Sequence, residues 1–432
     1  MNILVKNGRI VDPASGRDET GDLAIAAGRI VALGRVSPEF KPAQVIDAAG
    51  LVVAPGLVDL AARLREPGHE HEGMLESEMD AAVAGGVTSI VCPPDTEPVL
   101  DEPGLVEMLK FRARNLRRAH LYPLGALTFG LAGKALTEMA ELTEAGCVGF
   151  SQAEEPIADT QVLYRAMQYA ATFGFSVWLR PHDRNLGGGV AASGPLATRL
   201  GLSGVLVLAE TVALHTIFEL VRATGVRVHL CRLSSAAGVA LVRAAKAEGL
   251  PVTADVSVNN LHLIDHDIGY FNSAMRLAPP LRQQRDRDAL RAGLHDGTID
   301  ALVSDHTPVD EDAKNLPFAE AEPGATGLEL LLSLAVKWGQ QQGLPLGTAL
   351  AKVTHAPVEV LGAALGSLGA SAGRLVEGGV ADVCVFDPDA MWLVDAKGLR
   401  SQGPHSPFMG YELPGVVRWT LVAGQVAYQK AV

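Results

Sequence analysis

Short apolar runs alternate with amphipathic stretches through most of the chain, and the two ends break that rhythm. Near the N-terminus Ile3-Leu4-Val5, Arg9-Ile10-Val11, Leu23-Ala24-Ile25, Ile30-Val31-Ala32 and Val45-Ile46-Asp47 are separated by Asn-Gly, Ala-Gly and similar breaks. That is the punctuation of short strands joined by turns. The C-terminal stretch repeats it in Ala381–Phe386, in Val416–Val422 and in Gly-Gln-Val-Ala-Tyr. Residues 1–53 and 371–432 are therefore expected to form one small β-sandwich domain built from both termini.

Residues 54–370 read differently. Eight short apolar runs stand out: Leu57–Leu60, Thr88–Cys92, His120–Leu124, Cys147–Phe150, Ser176–Leu179, Arg227–Cys231, Val252–Val256 and Asp300–Val303. Helical patterns lie between several of them, such as Glu107–Arg118, Asp159–Phe173, Leu208–Thr224 and Ala236–Gly249. Eight strand–helix units over this length predict an α/β fold, a (β/α)8 barrel of the TIM type. In such a barrel the chemistry sits just beyond the C-terminal ends of the strands.

Composition narrows the classes. The 432 residues carry 36 Lys plus Arg against 49 Asp plus Glu, a formal net charge of −13, which argues against a nucleic-acid partner. No apolar run reaches the ~20 residues that span a bilayer, and the opening MNILVKNGRIVD lacks the apolar core of a signal peptide. Cys92, Cys147, Cys231 and Cys384 lie in apolar surroundings without CxxC pairing and are expected as free thiols of a cytoplasmic protein. Twelve His leave a metal enzyme open on count alone, so position has to decide.

The strand-end segments carry a specific pattern. The chain contains PGLVDL followed by LREPG, then AAVAGGVTSIVCPPDTEPV, LATRLGLSG, VHLCRLSS, APPLR, SDHTP, GATGLE and SPFMGYELPGVV. In this order, almost end to end, the set resembles the dihydroorotases of the cyclic amidohydrolase group. The resemblance implies the amidohydrolase barrel and, for that family, one or two zinc ions. Their ligands are a His-x-His pair after strand 1, an Asp or carboxylated Lys after strand 4, single His residues after strands 5 and 6, and an Asp after strand 8. The matching positions here are Ala61, Arg63, Gln152 (or its neighbour Ala153), Arg180, Arg232 and Asp305. Only Asp305 survives, as a vestige of the residue that the resemblance implies for metal ligation and proton transfer as catalytic base. Ala61 has no donor, Gln152 has a weak neutral oxygen, and a guanidinium cannot ligate a cation. The resemblance also places Arg65 where the family grips the substrate carboxylate, and puts Asp95, Ala278 and Val309 where it has Asn, Asn and His.

Other features have plainer readings. His69 and His71 form a His-x-His in a loop past the site, without further ligands in view. His182 and Asp183 are expected to make loop hydrogen bonds, and His306 to pack against the barrel. GALTFGLAGK lacks phosphate-loop spacing, Gly187-Gly188-Gly189 reads as a turn, and the leucines of 328–334 read as helical core. One constellation goes further. Arg63, Arg65, Arg180 and Arg232 would converge on one barrel mouth, where unpaired cations are costly. Asp305, helped by Asp59, Asp95 or the Glu154-Glu155 pair, is expected to join them in an ion-pair network, with a bound anion as the competing solution.

The resemblance extends to family members that have lost their zinc ligands and serve as structural partners of aspartate transcarbamoylase. It implies a non-catalytic subunit without metal or other cofactor, forming homo- and hetero-oligomers with the catalytic chain of aspartate carbamoyltransferase in pyrimidine biosynthesis. The alternatives left open are an active zinc-dependent dihydroorotase or related cyclic amidohydrolase with unusual ligands, and a small-anion binding regulatory module.

Overall fold

The computed structural model describes residues 2–430. Eight parallel strands form the barrel: β1 (Leu57–Asp59), β2 (Val87–Cys92), β3 (His120–Pro123), β4 (Phe150–Ser151), β5 (Ser176–Leu179), β6 (Arg227–Leu230), β7 (Val252–Ser257) and β8 (Ala301–Val303). They pair in sequence order, with Gly125–Ala126 carrying the end of β3 across to β4. The ring closes between β8 and β1 through the Ala62–His306 bridge and through Asp59, which accepts the Ser304 N–H at 3.0 Å.

Alternation along the strands explains why these runs become a barrel. Leu57, Ile90, Val177 and Leu302 belong to the large core between strands and helices. Their immediate neighbours Val58, Val91, Trp178 and Val303 belong to a second cluster on the opposite face. A period of two places successive side chains on opposite faces, so one strand feeds both layers.

The helices follow the patterns that predict them, with shifted ends. The helix expected from Asp159 runs over Thr160–Phe173, with Asp159 as its N-cap accepting the Gln161 N–H at 2.8 Å. The one expected to end at Gly249 runs over Ala236–Glu248 and stops there because Gly249 adopts φ 87°. The helix expected over Glu107–Arg118 is Pro103–Leu116; it starts earlier because Pro103 at its first position needs no N–H partner. The fourth strand is short, Phe150–Ser151, whereas the apolar run suggests Cys147–Phe150. Among the leucines of 328–334, a 3-10 turn over Leu328–Leu330 leads into the helix Leu331–Gln341. No described helix is long and apolar enough to cross a membrane.

Strands from both termini join in one hydrogen-bonded path. Ile3–Asp12 lies between Arg17–Ala26 and Val52–Pro55, and the latter pairs antiparallel with Val383–Leu393, which in turn pairs with Glu412–Val422. Gln44–Asp47 runs parallel to Ile3–Lys6. Ile3, Val5, Ile10, Leu23, Ile25 and Ile30 from the first strands pack with Val383, Val385 and Leu421 from the last. Gly56 marks the step from this sheet into β1, where a Cβ would collide with the Thr88 side chain.

The connection between Val383–Leu393 and Glu412–Val422 returns to the barrel and is fastened by Glu78, on the helix Leu75–Ala84. Its buried carboxylate accepts the Ser401 hydroxyl at 2.6 Å, the Gln402 N–H at 3.0 Å and the His306 Nε2 at 2.8 Å. The Gly327 N–H reaches the other ring nitrogen of His306 at 3.2 Å, so His306 is packed and hydrogen-bonded against the barrel, as its sequence context predicts. Burial alone would push Glu78 up, but hydrogen bonds from His306, Ser401 and Gln402 outweigh it and lower it. Replacing Glu78 by Ala leaves three donors without an acceptor. It should cost about 3 kcal/mol or more of unfolding free energy, while Glu78→Gln should cost less. Urea unfolding followed by circular dichroism measures both.

Candidate functional site: an arginine–carboxylate cluster at the barrel mouth

The strand ends present four non-glycine residues in the left-handed region: Arg65 (φ 62°), Ala153 (φ 50°), Arg232 (φ 56°) and Asp305 (φ 53°). Such backbone costs about 1–3 kcal/mol per residue and needs surrounding structure to hold it. Two of the clamps are visible. Asp255 on β7 accepts the Arg232 N–H at 2.6 Å, and the Ser151 hydroxyl accepts the Ala153 N–H at 3.0 Å.

The turn at Ala153 sets which side chain beyond β4 reaches the mouth. Gln152, at the expected ligand position, is buried away from the arginines. Its amide donates to the Thr128 hydroxyl at 2.9 Å and the Leu131 carbonyl at 2.7 Å. Glu154, two residues on, enters the mouth instead. One oxygen accepts Arg63 Nη2 at 3.0 Å and also pairs with Arg232 Nη2; the other pairs with Arg180 Nη1. Arg63 further meets Asp95 at 2.8 Å and the Thr307 hydroxyl at 3.1 Å. Arg232 further meets Asp305 at 3.1 Å. Three guanidiniums thus face three carboxylates, with Glu154 shared by all three cations.

The expected network differs in its centre. Asp305 touches only one of the arginines by ion pair, and Glu154 is the common acceptor. Asp59 does not join. It lies below the mouth, bound to the Ser304 hydroxyl and N–H, and burial pushes it up to about 7. Arg65 stands apart, pairing with Glu72 at 2.6 Å and donating to the Pro308 carbonyl at 2.8 Å. Each of the four arginines has a carboxylate partner, so charge balance at the mouth requires no bound anion. The cavity at the mouth is about 170 Å³.

The donor set does not fit zinc. Ala61 supplies nothing, Gln152 points away, and Arg63, Arg180 and Arg232 fill the space with cations. Ala278 offers its carbonyl to Arg232 at 3.4 Å, and Val309 is fully buried as core. His69 and His71 are neighbours, with ring centroids 6.2 Å apart. Asp183 caps its own loop by accepting the Asn185 and Leu186 N–H groups at 2.9 and 3.0 Å.

Among the described residues one group of three could present metal-ligand atoms together: His229, Cys231 and Asp255. Both His229 nitrogens are already engaged, with Thr253 at 2.8 Å and Asp255 at 2.9 Å. Asp255 also holds Arg232, so this group is the floor of the arginine cluster. All four cysteines are free thiols.

Burial would push Glu154 up, yet Arg180, Arg232 and Arg63 hold it well below the usual carboxylate range. Its stabilising contribution is therefore complete above the ordinary Glu value of about 4.3 and is lost as pH falls through the lower folded value. Glu154→Gln should cost about 2 kcal/mol. This falls below the about 3–5 kcal/mol of a fully buried pair, because water reaches part of Glu154. The variant should also show a flatter loss of stability below about pH 4. Chemical denaturation across pH tests both, and an unchanged acid limb would contradict the role given to Glu154.

A family model described as dihydroorotase-like matches residues 50–237. A dihydroorotase-like protein of Pseudomonas aeruginosa is 46% identical over 430 residues, covering 99% of this chain and 100% of the relative. Another, from Pseudomonas putida, is 44% identical over 429 residues, 99% of each chain. A dihydroorotase of Geobacter sp. (strain M21) is 37% identical over 432 residues, 99% of this chain and all of its own length. Among solved structures, an L-hydantoinase (dihydropyrimidinase) from Arthrobacter aurescens superposes with a TM-score of 0.88 at 24% identity, over 100% of this chain and 96% of that one. The last shows that the fold as a whole, barrel and terminal β domain together, is shared with that structure. Identity across nearly the whole length carries the family: the chain belongs to the dihydroorotase-like cyclic amidohydrolases.

Proposed function

We propose that this chain is a non-catalytic dihydroorotase-like subunit, whose role is to assemble with the catalytic chain of aspartate carbamoyltransferase and support it in pyrimidine biosynthesis. One observation carries the loss of catalysis: Glu154 closes Arg63, Arg180 and Arg232 into an ion-pair cluster where the family resemblance puts zinc ligands. A hydrolytic amidohydrolase needs a metal to activate water and polarise the amide carbonyl. Three guanidiniums oppose a dication there, and Asp305 is committed to Arg232. The assembly role rests on the resemblance to zinc-free family members, and on the economy of keeping an intact barrel for contact once its chemistry is gone.

The name of the Geobacter relative favours a second reading, an active dihydroorotase. The two readings part on simple measurements. Protein purified without chelator should contain far less than one zinc per chain and should not hydrolyse dihydroorotate with or without added zinc. Stoichiometric zinc with metal-dependent turnover overturns the non-catalytic reading. Co-expressed with its native aspartate carbamoyltransferase chain, the protein should co-elute in a complex larger than either component. Separate elution, with full transcarbamoylase activity in its absence, overturns the assembly role.

A further inference from the structure

A large cavity lies at the opposite end of the barrel from the arginine cluster. It measures about 500 Å³ and sits where the start of β3, the end of the helix Pro103–Leu116 and the turn around Ala423 of the terminal β domain come together. That volume falls in the range of about 300–1,000 Å³ typical of small-molecule sites, and clefts between domains are a preferred place for them. The mouth, at about 170 Å³, falls below it.

Its lining is strongly cationic, with Lys110, Arg114, Arg117, Arg118 and His120. Two of these have acidic partners: Arg118 pairs with Asp80, and His120 with Asp382 at 3.0 Å. Lys110 makes only long contacts of 3.4 Å to the Ala145 and Gly146 carbonyls. Arg114, Arg117 and Lys110 take part in no ion pair among the described residues. Part of this charge serves the helix, since a C-terminus carries about half a negative charge and favours a nearby cation. One cation meets that need, and the surplus faces the cleft. This is the reverse of the mouth, where every arginine has its carboxylate. Apart from Gln425 the remaining wall is mostly apolar, with Leu121, Leu368 and Val422 beside the ring of Tyr122. A phenol is neutral at pH 7 at its ordinary value, and burial pushes the Tyr122 hydroxyl further up, to about 12.

We propose that this cleft binds a nucleoside phosphate, with Arg114, Arg117 and Lys110 meeting the phosphates and the wall of Leu121, Tyr122 and Val422 taking the base. Guanidinium groups suit phosphate oxygens through paired N–H donors, and an aromatic or aliphatic wall suits a planar ring. The site stands independently of the proposed assembly role, because it needs neither a partner chain nor the barrel mouth.

Isothermal titration calorimetry of the full chain with ATP, UTP and inorganic triphosphate tests it. At least one nucleotide should bind in the sub-millimolar range, about tenfold more tightly than inorganic triphosphate. The double variant Arg114→Glu/Arg117→Glu should weaken nucleotide binding by about tenfold or more while keeping the thermal midpoint of the free protein. Arg184→Ala, an exposed cation beside the mouth, should leave binding unchanged. No binding of either nucleotide overturns the proposal, as does equal affinity for inorganic triphosphate, which would mark a bare polyanion surface. Undiminished binding by the double variant, or loss in Arg184→Ala, would overturn the location.

Discussion

Neutralising cations inside a low-dielectric strand-end ring is the constraint around which this barrel mouth is organised. Arg63 comes from the end of β1, Arg180 from β5 and Arg232 from β6, and all three reach Glu154 beyond β4. Arg180 has no other carboxylate partner among the described residues, whereas Arg63 and Arg232 also reach Asp95 and Asp305. The cluster therefore couples four quarters of the barrel through one side chain. Asp95 beyond β2 and Asp305 beyond β8 complete the balance. Below it, Asp255 fixes the Arg232 backbone and engages His229, which packs against Trp178 at 4.4 Å between ring centroids. Polar floor and charged mouth form one stack, in which removing a layer leaves the next unsatisfied.

Much of this was legible in the residues. The eight apolar runs are the eight strands because period-two alternation is a local property, and Asp159 and Gly249 mark helix ends by short-range chemistry. That Ala61, Arg63, Arg180 and Arg232 offer no donor for zinc was equally readable, since it follows from residue type, whatever their geometry. The centre of the cluster was not. Glu154 outranks Asp305 because Ala153 adopts φ 50°, turning Gln152 toward Thr128 and Glu154 toward the arginines. Alanine carries no signal for that conformation. The signal available was weaker: two acids directly after a strand end, facing three arginines that needed partners. Asp59 misled for a different reason. Its partner Ser304 lies on the far side of the ring closure, so only the closed barrel shows that the carboxylate is taken.

The two cationic regions show how the same residue type serves opposite ends. At the mouth each guanidinium is paired with at least one carboxylate and is 11% exposed or less. At the other end Arg114 and Arg117 are exposed, and among the described residues unpaired, at the rim of a larger cleft. The first arrangement spends its hydrogen bonds internally and gives rigidity. The second leaves them free for a visitor. A net charge of −13 conceals both.

The shared terminal sheet has a consequence for how the molecule is made. Val52–Pro55 is hydrogen-bonded on one side by the first strand and on the other by Val383–Phe386, more than 300 residues downstream. A ribosome adding about 5–20 residues per second needs roughly 15 to 65 s to supply that partner. Throughout that interval the N-terminal strands present an open edge, and the helix Leu75–Ala84 has no Ser401 or Gln402 to occupy Glu78. The domain written first is thus among the last to be completed. Its long-range pairing makes biosynthesis, more than the finished fold, the stage at which this chain is most exposed to misassociation.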